Sequence, residues 1–428
     1  MPAAGRPRGL GALITAQLLL RIGSATGALL VGSYFVELGR NGVAVGSVLL
    51  GALSGLTYLA ELVVAPVAGA ASDRRGRRVF LIVAPLLAAA GILITPGASI
   101  RDAAPPLILV VVVVATARLI EGAGGAMATP ATLGLVADAT DGDRLRRGRL
   151  ASLYELSSSG GIAVGAAVGP LLYAVAGLWG FAVLAAVYAA AALLIAGFVH
   201  DGAPPRAVHR RRTVRGRLAV FANRRLLAFL PAWIAVNAIL GTWVTAQITF
   251  VLAGDRQIPG QRFTGALAGQ EAWLSAVLGG YVLLFSLFVV AWAFFAGQLP
   301  TKPTLLVTIG GAIVAAAGLM LANHGLPLPA AVPIVAVGLF LEAGFTPAAL
   351  IHLADISGRF AADRGMIMGV YSVVLGIGYL LGNVLGGVFA HWLGFDGLGV
   401  LTVLFALCGM AAVVLMIVLD RRAEPARA

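Results

Sequence analysis

Apolar segments of about twenty or more residues recur along the whole chain of 428 residues. A helix of that length spans the ~30 Å hydrocarbon core of a bilayer. The composition is 60% apolar and 11% charged, whereas soluble domains are nearer ~45–50% apolar and ~25% charged. Because backbone groups in lipid must be hydrogen-bonded internally, repeated spans are helices or a closed barrel. The runs are continuous rather than alternating, which favours helices.

Twelve segments have this character, and together they predict an all-α integral membrane protein. The predicted spans are TM1 10–37, TM2 45–70, TM3 79–98, TM4 107–134, TM5 149–176, TM6 180–199, TM7 226–252, TM8 273–297, TM9 304–322, TM10 329–353, TM11 366–390 and TM12 398–419. A cleaved signal peptide is not expected, since the apolar run after Arg8 continues to Phe35 without a clear cleavage site.

The basic residues predict the orientation of the spans. Counting Arg149 at the very start of TM5, 24 of the 30 Lys and Arg residues lie at the N-terminus, in the loops after even-numbered spans, or at the C-terminus. The opposite loops hold four, and two lie within helices. The positive-inside rule then places both termini in the cytoplasm. The net charge of +12 is spread over several short loops, so nucleic-acid binding is not predicted.

The longest polar stretch, residues 200–225, divides the chain near its middle. It contains Ala203-Pro204-Pro205 followed by eight arginines. We interpret it as a linker that joins six-helix halves at 1–199 and 226–428 and lies on anionic headgroups. A solvated basic loop that only fixes the topology is a compatible alternative.

An internal repeat supports two related halves. At an offset of 217 residues, 130–180 matches 347–397 without a gap. The shared residues are Pro130 and Pro347, Asp138 and Asp355, Arg147 and Arg364, Tyr154 and Tyr371, and Gly161, Gly165 and Gly169 with Gly378, Gly382 and Gly386. Shared Asp, Arg, Tyr and Pro are much less expected by chance than shared apolar residues. Internal repeats are typical of secondary transporters, whose substrate site lies near the midplane between the repeats.

A charged loop lies between TM2 and TM3, where residues 69–78 read Gly-Ala-Ala-Ser-Asp-Arg-Arg-Gly-Arg-Arg. It resembles the loop 2–3 signature of the major facilitator superfamily, G-x-(L/A)-(A/S)-D-R-x-G-(R/K)-(R/K). The resemblance implies twelve helices in two pseudo-symmetric halves that expose one central site alternately to the two sides of the membrane.

The same resemblance implies a conformational latch. Asp73 would face a helix N-terminus of the other half, and Arg77 would pair with Asp138 at the end of TM4. The residues of this latch would be Gly69, Asp73, Arg74, Gly76, Arg77 and Asp138. A basic turn that only obeys the positive-inside rule is the alternative. The counterpart loop at 297–302 keeps little of the pattern.

TM4 and TM5 resemble two further motifs of the family. Arg118 precedes the Gly-rich run 122–125, as in the family's TM4 motif that is tied to proton coupling. A structural ion pair with Glu121 is the alternative. In TM5, Gly165, Gly169 and Pro170 resemble the antiporter motif. The paired glycines expected after this proline are absent, and helix packing explains the glycines nearly as well.

Charges inside the membrane are expensive and are hypotheses for functional sites. The interior positions hold the bases Arg21 and Arg118 and the acids Glu61, Glu121, Glu155 and Glu342. Four acids against two bases leave two carboxylates without a cation of their own. Such a group favours its protonated form or binds a cationic substrate, which argues against an organic-anion carrier. For any single glutamate, an uncharged hydrogen-bonding partner is the alternative.

Glu121 and Glu155 are the preferred proton-coupling candidates, ahead of Glu61 and Glu342. Many proton-coupled drug exporters of the family have an acid in the middle of TM1, where this chain has Arg21. We therefore expect Arg21 to face Glu61 or Glu155. Candidates for the substrate cavity are Asn237, Trp243, Gln247 and Tyr34, because a pocket of aromatic and amide groups suits amphiphilic ligands.

The sequence therefore predicts a secondary transporter, and most of all proton-driven export of amphiphilic or drug-like compounds. A proton-coupled importer or facilitator of a sugar-like metabolite is the first alternative. A receptor or lipid-handling protein of the same fold is the second. No phosphate-binding loop, metal spacing or nucleophile constellation is present in the sequence, so no enzyme activity and no cofactor are expected. The expected partners are a small molecule, protons and membrane lipids, for a monomer in a bacterial inner (plasma) membrane.

Overall fold

A computed structural model describes residues 9–140, 144–201, 224–358 and 364–423. Within these ranges the helices are α1 Leu10–Arg40, α2 Ser47–Arg75, α3 Arg77–Ile94, α4 Leu107–Ala139, α5 Arg144–Ala176, α6 Trp179–Phe198, α7 Arg224–Trp243, α8 Ala246–Ala253, α9 Glu271–Ala293, α10 Thr301–Asn323, α11 Leu328–Ala343, α12 Phe345–Gly358, α13 Arg364–Leu393 and α14 Phe395–Ala423. Twelve helical segments of the described residues are long and apolar enough to cross a membrane. The multi-pass all-α fold is therefore confirmed.

One predicted span is interrupted in the structure. TM7 divides into α7 and α8 at Val244 and Thr245, where Thr245 is extended with φ −142° and ψ 179°. Hydropathy is continuous across this point, so the prediction of a single helix was wrong there. TM10 is one span, Leu328–Leu353, in which Gly344 between α11 and α12 keeps helical dihedral angles, φ −73° and ψ −13°. The predicted ends of the spans lie within five residues of the observed ends.

One compact unit comprises Met1–Val208, Val244–Asp255 and Leu267–Leu283. Its apolar core is built around Leu30, Tyr34, Phe35 and Phe181. The grouping differs from the predicted division at 200–225, because α8 joins this unit by packing on α1 and α2. The contact is close at Gly32, where a Cβ atom would lie 2.6 Å from the Ala246 carbonyl oxygen.

The second compact unit comprises His209–Trp243, Arg256–Ala266 and Leu284–Ala428. Trp292, Ala296 and Ala343 form an apolar cluster there, and the Phe340 ring packs against it. Asn323, at the end of α10, holds the loop at 261–264, since its Oδ1 accepts hydrogen bonds from the backbone N–H groups of 262 and 263 at 3.0 and 2.8 Å.

Glycine stripes fix one helix pair in each unit. In the first unit, a Cβ atom at Gly161 would lie 2.6 Å from the Cβ of Arg21, and one at Gly165 would lie 2.6 Å from the Ile22 carbonyl oxygen. These contacts bring the backbones of α1 and α5 together. In the second unit, Cβ atoms at Gly378 and Gly382 would collide with α7. The repeat found in the sequence therefore corresponds to the same packing of α5 on α1 and of α13 on α7.

Large apolar side chains cover the outside of the helices. Val67 is 69% exposed, Val175 is 81% exposed and Leu193 is 72% exposed. Extended apolar surface is unusual on soluble proteins. On membrane-spanning helices it is the surface that contacts lipid tails.

Candidate functional site

An ion pair lies inside the first unit on a single helix. Arg118 Nη1 and Glu121 Oε2, one turn apart on α4, are 2.5 Å apart. Their residues are 4% and 7% exposed. Arg118 also donates through Nη2 to the Thr95 hydroxyl at 2.8 Å. That hydroxyl in turn donates to the Gly91 carbonyl at 3.1 Å. The cation is therefore held by two partners in a region that lacks water-exposed surface.

The carboxylate of this pair has a second donor on another helix. The Tyr188 hydroxyl of α6 donates a hydrogen bond to Glu121, and the Tyr188 residue is 2% exposed. Gly23 of α1 leaves room for the ring, because a Cβ atom there would lie 2.6 Å from Tyr188 Cε1. Gly91 of α3 likewise leaves room for Glu121, because a Cβ atom at Gly91 would lie 3.0 Å from the Glu121 Cβ. The pair is thus positioned by three neighbouring helices.

Arg21 and Glu61 complete the network. Arg21 of α1 interacts electrostatically with Glu61 of α2 and with Tyr188. Glu61 approaches α4 at Gly125, where a Cβ atom would lie 3.7 Å from its Oε1. Arg21 and Glu61 are partly exposed, in contrast to the buried pair on α4.

The network is balanced in charge. Its described side chains carry two positive charges, on Arg21 and Arg118, and two negative charges, on Glu61 and Glu121. Glu155 lies on α5, but its side chain is outside the described part of the structure. Arg21 interacts electrostatically with Glu61, one of its two expected partners, and the role of the network in proton coupling stays a prediction.

Glu342 lies apart from these groups, in the second unit. It is the second-last residue of α11, and it is 5% exposed. Among the residues that the structure describes, no cation and no hydrogen-bond donor is paired with its carboxylate. It is therefore one candidate for the two acids without a cation that the sequence analysis inferred.

The charged loop after α2 has the expected pairing. Arg77 Nε lies 3.1 Å from Asp138 Oδ2, and Arg77 Nη2 lies 3.1 Å from Asp73 Oδ1. Gly134 of α4 makes room for the guanidinium, because a Cβ atom there would coincide with it. Gly69 packs against Pro130, with 3.6 Å from its built Cβ to the proline Cβ.

Asp201 caps the helix that follows this loop. Its Oδ1 and Oδ2 accept hydrogen bonds from the Arg78 backbone N–H at 3.0 and 3.2 Å. Gly76, at the turn between α2 and α3, has φ +93°, a value that favours glycine. Arg74 is exposed in the last turn of α2. Asp73 pairs with Arg77 of the same loop, so the function of these residues as a latch stays a prediction.

Comparison with known proteins decides the family. The model of the Major Facilitator Superfamily matches residues 13–342 and 263–428. The chain belongs to the major facilitator superfamily. No curated protein sequence matches the chain.

Solved transporters share this superfamily fold. The nucleoside transporter NupG aligns with a TM-score of 0.71 and 16% identity, over 96% of this chain and 98% of its own. A D-xylose-proton symporter aligns with a TM-score of 0.67 and 16% identity, over 95% and 96% of the two chains. At this identity the likeness shows the fold alone.

The glycines of the antiporter-like motif on α5 are in contact with a neighbouring helix. A Cβ atom at Gly169 would lie 2.8 Å from the Leu29 Cβ, and Pro170 is buried. The next backbone N–H, of Leu171, is bonded to the Ser275 hydroxyl at 2.9 Å. The glycines therefore have a structural reason in the packing of α5 on α1.

The four cavity candidates are buried and hydrogen-bonded in this conformation. Asn237 Nδ2 donates to the Trp233 carbonyl of its own helix at 2.8 Å. Trp243 Nε1 donates to Thr402 Oγ1, and Gln247 Nε2 donates to the Ser47 carbonyl, each at 2.8 Å. The Tyr34 hydroxyl lies 2.7 Å from Ser99 Oγ, at a cavity of about 60 Å³ that Glu37 and Asn41 also line. Their role as substrate ligands stays a prediction.

Sequence reasoning missed four residues that position these groups. Tyr188 and Thr95 bond the ion pair, Gly134 accommodates Arg77, and Asp201 caps α3. Tyr188 could have been found from the sequence, since it carries the single hydroxyl group of an otherwise apolar helix. Asp201 and Gly134 had none, because their partners are 123 and 57 residues away.

Proposed function

We propose that the chain is a proton-coupled importer of a neutral, hydroxyl-bearing metabolite such as a nucleoside or a sugar. The observation that carries the proposal is the balanced network of Arg21, Glu61, Arg118 and Glu121. A site with no net charge offers little attraction to an organic anion or to a cationic drug. Its carboxylate, guanidinium and phenol groups suit a ligand that donates and accepts hydrogen bonds.

The comparisons support the same choice over drug export. Two of the structural neighbours are a nucleoside transporter and a D-xylose-proton symporter. The motif that had favoured an antiporter is explained by packing of α5 on α1. Export of amphiphilic compounds therefore has no observation of its own in its favour.

The proposal includes an orientation and a mechanism. Both termini lie in the cytoplasm, as the basic loops predict, and the protein works as a monomer in a bacterial cell membrane. The site is exposed alternately to each side of the membrane, and the inward flow of protons drives accumulation of the substrate. Arg77 and Asp138 hold the loop after α2 in one of the two conformations.

The first experiment measures uptake into liposomes that contain the purified protein. Labelled uridine and D-xylose are supplied outside with an inward proton gradient, and ethidium is loaded inside in a parallel assay. Accumulation of uridine or xylose that follows the gradient supports the proposal. Uptake that ignores the gradient would make the protein a facilitator. Gradient-driven release of ethidium alone would restore the export hypothesis, and movement of no probe would favour a receptor.

A competition assay tests the charge balance itself. Uridine and xylose are compared as competitors with their anionic relatives, uridine monophosphate and xylonate. We expect only the neutral compounds to compete in the natural protein. Glu61→Gln leaves the network with one excess positive charge, so the anionic compounds should compete more strongly in this variant. Glu271→Gln, at the start of α9, is the matched control and should change nothing. Equal competition by neutral and anionic compounds in the natural protein would contradict the proposal.

A further inference from the structure

Asp396, in the first turn of α14, lies at the centre of a polar cluster in the second unit. Its Oδ1 accepts a hydrogen bond from Asn323 Nδ2 at 2.8 Å, and its Oδ2 accepts one from Gln261 Nε2 at 3.1 Å. The same Oδ2 lies 2.6 Å from His324 Nε2. We call these four residues the Asp396 cluster. The cluster joins the start of α14 to the end of α10 and to the loop at 256–266.

This loop packs closely on the turn between α13 and α14. The Phe395 backbone N–H donates to Thr264 Oγ1 at 2.9 Å. A Cβ atom at Gly394 would lie 2.5 Å from Ile258 Cδ1, so the turn has no room for a larger residue. The carboxylate of Asp396 then connects this packed turn and loop to the end of α10.

The two ionisable groups of the cluster differ in their access to water. The Asp396 side chain is 14% exposed, and the His324 side chain is 51% exposed. The start of a helix carries a partial positive charge and is a favourable place for a carboxylate. The imidazole is open to protons from the solvent, and histidine is the side chain that ordinarily changes its charge between pH 5 and 8.

Three other ionisable side chains lie on the segments that surround His324. Arg262 is close, since a Cβ atom at Gly325 would lie 3.3 Å from its Nη2. Arg256, at the start of the same loop, donates to the backbone carbonyl of His391 at the end of α13. The nearby cation of Arg262 opposes a second positive charge on the imidazole. The carboxylate of Asp396 favours one.

The helices themselves bring no further charge near the cluster. α11 has no charged residue between 328 and 341, α13 has none between 365 and 390, and α14 has none between 397 and 419. The charge carried by α10 is Lys302, which lies 22 residues before His324, or about 33 Å at 1.5 Å per residue. Within the described residues, Asp396 is therefore the acid that faces this histidine.

We propose that the Asp396 cluster is a pH-sensitive switch, in which protonation of His324 fastens the loop at 256–266. With the imidazole protonated, its contact with Asp396 is a hydrogen bond between two ions, which is roughly twice as strong as a neutral one. As the pH rises through the range in which histidine loses its proton, the ionic part of the bond is lost. The stabilisation of the loop is therefore largest at mildly acidic pH and falls as the pH rises.

The switch goes beyond the proposed function and does not depend on it. The segments that it joins follow the seventh, ninth and eleventh spans, so they lie on the side of the membrane opposite to both termini. With the termini in the cytoplasm, as proposed, the cluster senses the pH outside the cell. A carrier driven by inward proton flow meets its more acidic medium on that side.

Hydrogen exchange of the purified protein in detergent tests the switch without a substrate. Protection of the backbone amides in the loop at 256–266 is measured at about pH 5.5 and about pH 8.5, below and above the usual range of histidine. Each rate is divided by the intrinsic rate at the same pH. We expect protection to fall by up to roughly fivefold at the higher pH, the upper size for a partly exposed ion pair. Equal protection at both values would overturn the proposal.

Substitutions of His324 assign the effect to its charge. His324→Gln keeps a neutral donor, so its protection should be low and independent of pH. His324→Lys carries a charge at both values, so its protection should stay high at the higher pH. His391→Gln is the matched control, because His391 is also exposed and lies against Trp392, and it should keep the natural pH dependence. A natural pH dependence in His324→Gln would overturn the proposal.

A double-variant cycle identifies the partner of the histidine. His324→Gln is made in the natural protein and in Asp396→Asn, and protection is compared at about pH 5.5. If the two side chains interact through their charges, the effect of His324→Gln should disappear when Asp396 is replaced. An equal effect in both backgrounds would exclude Asp396 as the partner and overturn the proposal. Failure of uridine or D-xylose uptake would overturn the proposed function alone, since none of these measurements uses a substrate.

Discussion

In the first unit, Gly161 and Gly165 let α5 touch the backbone of α1, and in the second unit Gly378 and Gly382 let α13 touch α7. The ionisable groups do not follow this symmetry. α4 carries Arg118 and Glu121, whereas the positions 217 residues later are Val335 and Gly338. The acid of α11 appears one turn further on, as Glu342.

The two repeats share their packing contacts but not their buried charges. A glycine in a backbone contact has no substitute that fits, so both repeats keep it. A buried charge can be removed if its partner is removed as well, so each repeat was free to keep a different set. The two units should therefore respond alike to substitutions in the stripes and differently to substitutions of charge.

The largest difference in stability between the two units is expected for substitutions at the ion pair of Arg118 and Glu121. Arg118→Met leaves Glu121 buried without its cation, which should cost about 3–5 kcal/mol of stability. Glu342→Gln removes no partner and should cost much less, so the two variants are compared by thermal unfolding in detergent. The double variant Arg118→Met with Glu121→Leu should recover most of the loss. Equal losses for Arg118→Met and Glu342→Gln would remove the asymmetry between the units.

Substitutions of the packed glycines should lower stability by similar, intermediate amounts in the two units. Gly165→Ala and Gly382→Ala each place a Cβ atom against backbone, and overpacking of this kind costs about 1–3 kcal/mol. Gly160→Ala and Gly310→Ala are the controls, since a Cβ atom at either position has nothing within 4 Å. Unfolding midpoints of the four variants are compared. A loss in one unit without a similar loss in the other would contradict the symmetry of packing.

A smaller effect is expected at the start of α3, where the units differ again. Asp201→Ala removes the acceptor for the Arg78 backbone N–H and should cost about 1 kcal/mol. The corresponding helix of the second unit, α10, follows Pro300 without a side-chain cap. Hydrogen exchange at the first turn of α3 should rise in Asp201→Ala and stay low in Asp201→Asn. Unchanged exchange in the alanine variant would show that this cap is dispensable.

The smallest effect on stability is expected at the partly exposed pair of Arg77 and Asp138. Asp138→Asn should cost only about 0–1 kcal/mol. Because the pair is proposed to hold one conformation, the exchange rate of substrate should change more than the unfolding midpoint does. Gly134→Ala displaces the same guanidinium and should reproduce that pattern. A large loss of stability with unchanged exchange would make the loop a structural element only.

Hydropathy was sufficient to predict the twelve spans. The spacing of Arg118 and Glu121 was sufficient to predict their ion pair, because residues three apart on a helix are neighbours. The pairing of Arg77 with Asp138 followed from the family resemblance. The network that adds Tyr188, Thr95 and Arg21 joins residues distant in the chain, so no local pattern encodes it.

The irregular point in TM10 had a signal that hydropathy does not measure. Pro347 follows Gly344, and proline lacks the backbone N–H that would bond the carbonyl four residues earlier. The ranking of the proton-coupling candidates stays a prediction.

Trp292 lies directly against Gly344, where a Cβ atom would overlap the indole, and this contact has a practical consequence. Indole fluorescence depends on the polarity and hydrogen bonding around the ring, and this ring lies two residues from Glu342 along the backbone that it touches. The protein therefore has an optical reporter of its own at the junction of α11 and α12. With the other five tryptophans replaced by phenylalanine, its emission would follow that junction in real time without any added label.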